Sequence, residues 1–237
     1  MTTEIIFLFI FNALAIGTGI FVVSNNSRKS LVVFTCYLII TLAFQSYQSY
    51  LFLNEIDSIF LFHIYPILEF IFLVAILIIW NPTKKMVYII WGGLVGAYIL
   101  GNSIMMPFTE FPAISLLVTY VTLFFMFFYF LTAFMDDVVL KEASHFTTTV
   151  STAFIIYFMS ILIGLLPIYI GQYSSLHYIH IVAQLLFYIV IIYAFISEYI
   201  QFNKQKNTIS RLELYARELK ESGTFRERIP HEQIHLN

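Results

Sequence analysis

Glu69 is the residue whose type and position could do the most chemistry in this 237-residue sequence. It lies in the middle of the apolar run from Ile59 to Trp80 and is the only acidic residue deep in any such run. An ionisable group at that depth is costly and marks an ion, proton or ligand site. Tyr65 is four residues earlier and shares its helical face. Between them Pro66 cannot donate to the carbonyl of Phe62, which leaves an acceptor spare. His63 lies nearer the outer end of the same run.

Other runs add polar side chains. Gln45 and Gln48 are three residues apart, Asn102 is followed by Ser103, and Asn12 stands inside the first run. His177, His180 and Gln184 make one stripe by i, i+3, i+4 spacing. Glu69, Tyr65, His63, Gln45, Gln48, Asn102, His180 and Gln184 are therefore the candidate ligand or proton site. Each of the amides also has a plainer reading as a hydrogen-bonding group that holds helices together. The glycines at 92, 93, 96 and 101 read as close helix packing rather than as a site.

These residues are positioned by membrane spans. Hydrophobic residues make up 60% of the chain and charged ones only 11%, against about 25% charged in soluble domains. A soluble core of this size could not hide so much apolar surface. A span needs about 20 apolar residues. Seven stretches qualify: Glu4–Val23, Leu31–Leu53, Ile59–Trp80, Met86–Met106, Ala113–Phe134, Thr147–Ile170 and Ile179–Phe202. The first lacks the basic flank of a signal peptide and reads as a retained helix. The expected fold is an all-α polytopic bundle of about seven transmembrane helices.

Charge sets its direction. Arg28, Lys29, Lys84, Lys85, Lys141 and the basic residues after Lys204 fall in the first, third and fifth connections and the tail. Glu4, Glu55, Asp57 and Glu110 fall on the other side. Basic residues gather in the cytoplasm, so the N-terminus is expected outside and the C-terminus inside, in the cell (inner) membrane. Six or eight spans would break this segregation. On that orientation the costly polar groups gather between midplane and exterior, while the inner halves hold mainly hydroxyls such as Thr35, Thr132 and Thr147 to Thr149. The expectation is a cavity open to the outside that ends near Glu69.

Residues 1–203 are expected to form the membrane domain and 204–237 a cytoplasmic tail. Within the tail, residues 207–222 can form a short amphipathic helix. Ser210 and Glu213 are spaced as a capping box, unless the seventh helix simply runs on. Leu212, Tyr215 and Leu219 make an apolar stripe that could dock on the membrane, a second copy or a cytoplasmic partner. Gly223 suits a helix stop, and Thr224 to Asn237 reads as a mobile end.

Several chemistries have no footing. The formal charge of −2 gives no basic patch for nucleic acid. The single cysteine, Cys36, excludes an internal disulfide and a cysteine zinc site. His177 and His180 alone make a weak metal motif, so no metal or other cofactor is called for. No nucleophile elbow, phosphate loop or paired deep acids point to an enzyme. The span count and orientation are similar to the seven-helix sensory modules attached to some bacterial signalling enzymes. That architectural resemblance implies a receptor or sensor for a small extracytoplasmic ligand or a proton. With no kinase or cyclase domain in the 237 residues, its output would pass through a partner. A small transporter or channel using Glu69, and an intramembrane enzyme acting on lipid, are the readings from other classes.

Overall fold

The computed structural model describes residues 3–54, 56, 59–107, 110–136, 145–170 and 176–221, without the side chains of 3–5, 52, 134–136, 164–170, 176–180 and 217–221. It consists of seven long helices, and no strand occurs among the described residues. The helices are α1 (Thr3–Asn25), α2 (Lys29–Leu53), α3 (Ile59–Trp80), α4 (Lys85–Met105), α5 (Ala113–Asp136), α6 (His145–Ile170) and α7 (Leu176–Glu221). Each contains a stretch long and apolar enough to cross a membrane. The chain is a multi-pass membrane protein. Its surface agrees with this: Leu94, Ile104 and Met105 are 71%, 79% and 88% exposed, which only lipid would cover at acceptable cost.

Helix boundaries follow local chemistry. Asn81 and Pro82 end α3 and open a short 3₁₀ turn, Pro82–Lys84, where proline's missing N–H costs nothing. The Asn81 carboxamide oxygen accepts from the Lys84 backbone N–H at 3.2 Å and from the Thr83 hydroxyl at 2.6 Å. Pro66 sits buried inside α3, which continues through it to Trp80. Pro107 and Pro112 lie in the link between α4 and α5. The segments holding Glu55, Asp57, Asp137, Lys141 and Glu142 lie outside the described residues.

Short links make neighbouring helices antiparallel, so the starts of α2, α4 and α6 share one end with the termini of α1, α3 and α5. That end holds an aromatic core. Phe34 of α2 is fully buried, with ring centroids of Trp80 (α3), Phe146 and Phe154 (α6) and Phe195 (α7) at 5.7–6.0 Å. Association of helices in lipid depends on packing rather than on exclusion of water. Interlocked rings supply many dispersion contacts at little rotamer cost.

Small residues serve packing at specific places. A methyl group on Gly92 would lie 2.8 Å from Val74 Cγ1, and one on Gly19 2.8 Å from Thr35 Oγ1 and 3.0 Å from Phe195 Cζ. Gly96 faces the Phe70 ring at ordinary contact distance. Gly93 and Gly101, expected to pack as well, face open space, because they point to the lipid side of α4. Gly92→Ala is expected to destabilise the bundle by about 1–3 kcal/mol through overpacking against the stiff β-branched Val74. Gly93→Ala should be neutral or slightly stabilising, since alanine favours the helix. Thermal unfolding of the two variants in detergent checks the contrast; equal melting points would refute it.

The chain forms two compact units, Met1–Glu198 and Tyr199–Asn237. In the second, residues 199–221 are the last part of α7, and Ser210 and Glu213 lie inside that helix. Leu212 and Tyr215 are 62% and 63% exposed. The Leu219 side chain, Gly223 and the stretch from Thr224 to Asn237 lie outside the described residues.

Candidate functional site

The Glu69 side chain is buried, at 2% exposure, and three tyrosine hydroxyls converge on it. Tyr37 of α2 donates to Oε1 at 2.9 Å, and Tyr65 of α3 donates to the same oxygen at 3.2 Å. Tyr120 of α5 donates to Oε2 at 3.0 Å. A carboxylate offers about four lone-pair sites, so these donors satisfy most of its capacity. Among the described residues no basic side chain pairs with it. Glu69 is ten residues into α3, about 15 Å from its start, which is half of a hydrocarbon core ~30 Å thick. The local reason for the cluster is spacing: Tyr65 is one helical turn before Glu69, and Phe70 and Leu73 beside it are buried against neighbouring helices.

A second polar group lies farther from the aromatic core. Asn12 Nδ2 of α1 donates to Gln45 Oε1 at 3.1 Å, and Gln45 Nε2 donates to the Tyr188 hydroxyl of α7 at 3.2 Å. Gln184, one turn before Tyr188, is buried and interacts with the same hydroxyl. Asn12 Oδ1 and Thr41 Oγ1 are buried with no hydrogen-bond partner among the described residues. Buried polar atoms in that condition are rare in folded proteins.

One stripe of α2 serves both groups. Tyr37, Thr41 and Gln45 are spaced i, i+4, i+8 and therefore share a face about 12 Å long. Its Tyr37 end holds Glu69 and its Gln45 end holds Tyr188.

The expected residues thus separate into different places. Glu69 and Tyr65 are together; Gln45 and Gln184 meet at Tyr188, not at Glu69. Gln48, one turn on, is half-buried and makes no hydrogen bond among the described residues. Asn102 instead donates to the Ser115 hydroxyl at 2.5 Å, tying α4 to α5. His63 Nε2 is 2.8 Å from the Glu110 carbonyl oxygen and pins α3 to the α4–α5 link. His177 and His180 belong to α7, but their side chains lie outside the described residues. Cys36 is exposed on α2.

Tyr37, Tyr120 and Tyr188 did not figure among the expected site residues. The i, i+4, i+8 stripe on α2 is the signal that could have found the first, while Gln45 was paired with Gln48 instead. The other two are single tyrosines among 16 and carry no local mark.

The aromatic end, expected to hold mainly hydroxyls, also contains a buried acid. Glu198 of α7 is 3% exposed and accepts from Arg28 at 2.7 Å. Arg28 stands in the α1–α2 link, 170 positions away, where no local pattern could indicate the pairing. The contact places the Arg28–Lys29 end of the bundle beside the Glu198 turn of α7. Among the described residues no three His, Cys, Asp or Glu side chains converge as metal ligands. Compared with known protein families, curated proteins and solved structures, the chain matches none.

Proposed function

We propose that this protein is a receptor-like membrane module in which a small polar ligand or a proton acts at the Glu69–Tyr188 stripe and α7 carries the change to the tail. The single observation that supports this is the shared face of α2. Tyr37 is bonded to the mid-membrane acid and Gln45 to Tyr188 of α7. A change in the hydrogen bonds of Glu69 alters the seat of Tyr37, and with it the face that also holds α7. Thr41 Oγ1 on that face, and Asn12 Oδ1 of α1 beside it, offer acceptor capacity to a ligand with O–H or N–H groups.

On this reading the basic end faces the cytoplasm, by the distribution of Lys and Arg. The exposed Leu212 and Tyr215, with Leu219 at the next turn by spacing, then meet a cytoplasmic protein partner.

A spin label on Leu212→Cys, in a Cys36→Ser background reconstituted in vesicles, tests the proposal. The label should change mobility when pH is stepped on the N-terminal side, and Glu69→Gln or Tyr188→Phe should remove the response. An impermeant quencher should reach the label only from the basic-end side. A label blind to pH in wild-type protein overturns the proton form, and a response that survives both substitutions overturns the coupling.

The mid-membrane acid, with no basic partner among the described residues, also favours a second reading, a proton- or cation-coupled transporter. Solute or proton flux across the same vesicles that Glu69→Gln abolishes would replace the sensor with it.

A further inference from the structure

A groove of about 490 Å³ runs between α6 and α7, within the ~300–1,000 Å³ usual for small-molecule sites. It belongs to neither polar group described above. His145, Thr148, Thr149 and Thr152 of α6 form its polar part. Ala153 and Ile156, with Val190 of α7, form the apolar part. His145 is the first residue of α6, at the aromatic and basic end, and Ile156 is eleven residues on, about 17 Å deeper. The lining therefore turns from polar to apolar along the path an amphiphile takes from membrane surface to midplane.

Hydrogen-bond bookkeeping says which head group fits. Thr149 donates its hydroxyl to the His145 carbonyl at 2.8 Å, and Thr152 donates to the Thr148 carbonyl at 3.0 Å. Both hydroxyl protons are spent inside the helix, so toward the groove these oxygens act as acceptors. His145 Nδ1 is 3.2 Å from Thr149 Oγ1. With that hydroxyl proton engaged elsewhere, a neutral imidazole donates from Nδ1 and leaves Nε2 as a further acceptor. Beside it stands Tyr193 of α7, 57% exposed, with its ring centroid 6.5 Å from that of His145. Three acceptors suit a cation that carries N–H donors. The Thr148 hydroxyl, with no hydrogen bond among the described residues, can donate to an anionic group attached to such a cation.

We infer that this groove is a binding site for a phospholipid with a primary ammonium head, of the phosphatidylethanolamine class, from the leaflet at the basic end. The ammonium lies among Thr149, Thr152 and His145, and one acyl chain follows Ala153, Ile156 and Val190. A choline head fills the same space but has no N–H to donate, so head-group selectivity is the signature.

The full chain in detergent, titrated with ethanolamine, choline and glycerol phospholipids of identical acyl chains, tests it by native mass spectrometry. The ethanolamine lipid should be retained about tenfold more tightly than the choline lipid, the discrimination of one charge-assisted hydrogen bond. Thr149→Val with Thr152→Val keeps the shape, removes two acceptors and should bring the ratio to about one. Ile156→Trp, on an exposed position, should displace the lipid whatever its head. Equal retention of ethanolamine and choline lipids by the wild-type protein overturns the inference, with no need of a folded variant. So does a preference that survives the double valine substitution. Tightest retention of the anionic glycerol lipid would overturn it in favour of attraction to the nearby Lys and Arg.

Discussion

Glu69→Ala is expected to lower the stability of the bundle by about 2–4 kcal/mol, read as a fall in melting temperature in detergent. Three hydroxyls lose their acceptor at once, and two of them, on Tyr37 and Tyr120, are 3% and 6% exposed. Leaving a buried donor unsatisfied costs about 1–3 kcal/mol in water-soluble proteins. Within a bilayer the figure per contact is smaller, about 0.6 kcal/mol on average and 1.7 at most, because unfolded helices still find partners in the membrane. Three such contacts sum to about 2–5 kcal/mol, which brackets the expected loss. Part of the loss is offset, since the alanine variant no longer buries an acid.

The tyrosines should rank among themselves. Tyr37→Phe and Tyr120→Phe each remove a short bond from a buried site, whereas Tyr65 is half-buried and its bond is the longest of the three at 3.2 Å. Tyr65→Phe should therefore cost least. Glu69→Gln keeps one carbonyl acceptor and should fall between wild type and alanine. A melting temperature unchanged or raised in Glu69→Ala would overturn the structural role and leave the acid with a purely functional one.

Phe34→Ala should cost about 3–5 kcal/mol, the usual range for an enclosed phenyl group. The ring touches three other helices, and each aromatic contact adds to simple burial. Lipid cannot refill the hole, because Phe34 and its neighbours Phe146, Phe154 and Phe195 are all wholly or nearly wholly buried. Phe34→Leu should recover part of the loss. Phe7→Ala, at a position 49% exposed on the lipid face of α1, should stay within about 0.5 kcal/mol of wild type. If Phe34→Ala melts like Phe7→Ala, the aromatic core does not hold the bundle.

Much of the architecture was legible from composition and runs of apolar residues. Lipid imposes a minimum length on every span and forbids unsatisfied backbone within it, so hydropathy alone marks Ile59–Trp80 or Ala113–Phe134 as helix. Glu69 was legible for a related reason. An acid in the centre of a span is expensive enough to stand out without knowledge of its neighbours. Its link to Tyr65 followed from helix periodicity alone.

What surrounds Glu69 was not legible. Gln45 and Asn102 were expected to line one cavity with it, yet one bonds to Tyr188 and the other to Ser115. Depth along a helix follows from residue number, but the direction in which a face points depends on how helices rotate against one another. That rotation is decided by packing, here by rings such as Phe34, Phe154 and Phe195 and by the close approach at Gly92. The Arg28–Glu198 pair shows the same division. Each residue's place at the basic end could be read from charge and span count, whereas their contact at 2.7 Å depends on which helices are neighbours. For this protein the sequence by itself determined the membrane class, the number of helices and the level of the costly acid, because the bilayer acts on each helix separately. Only the tertiary structure decided which hydroxyls meet that acid and which helix shares its stripe, because those depend on the packing of all seven helices together.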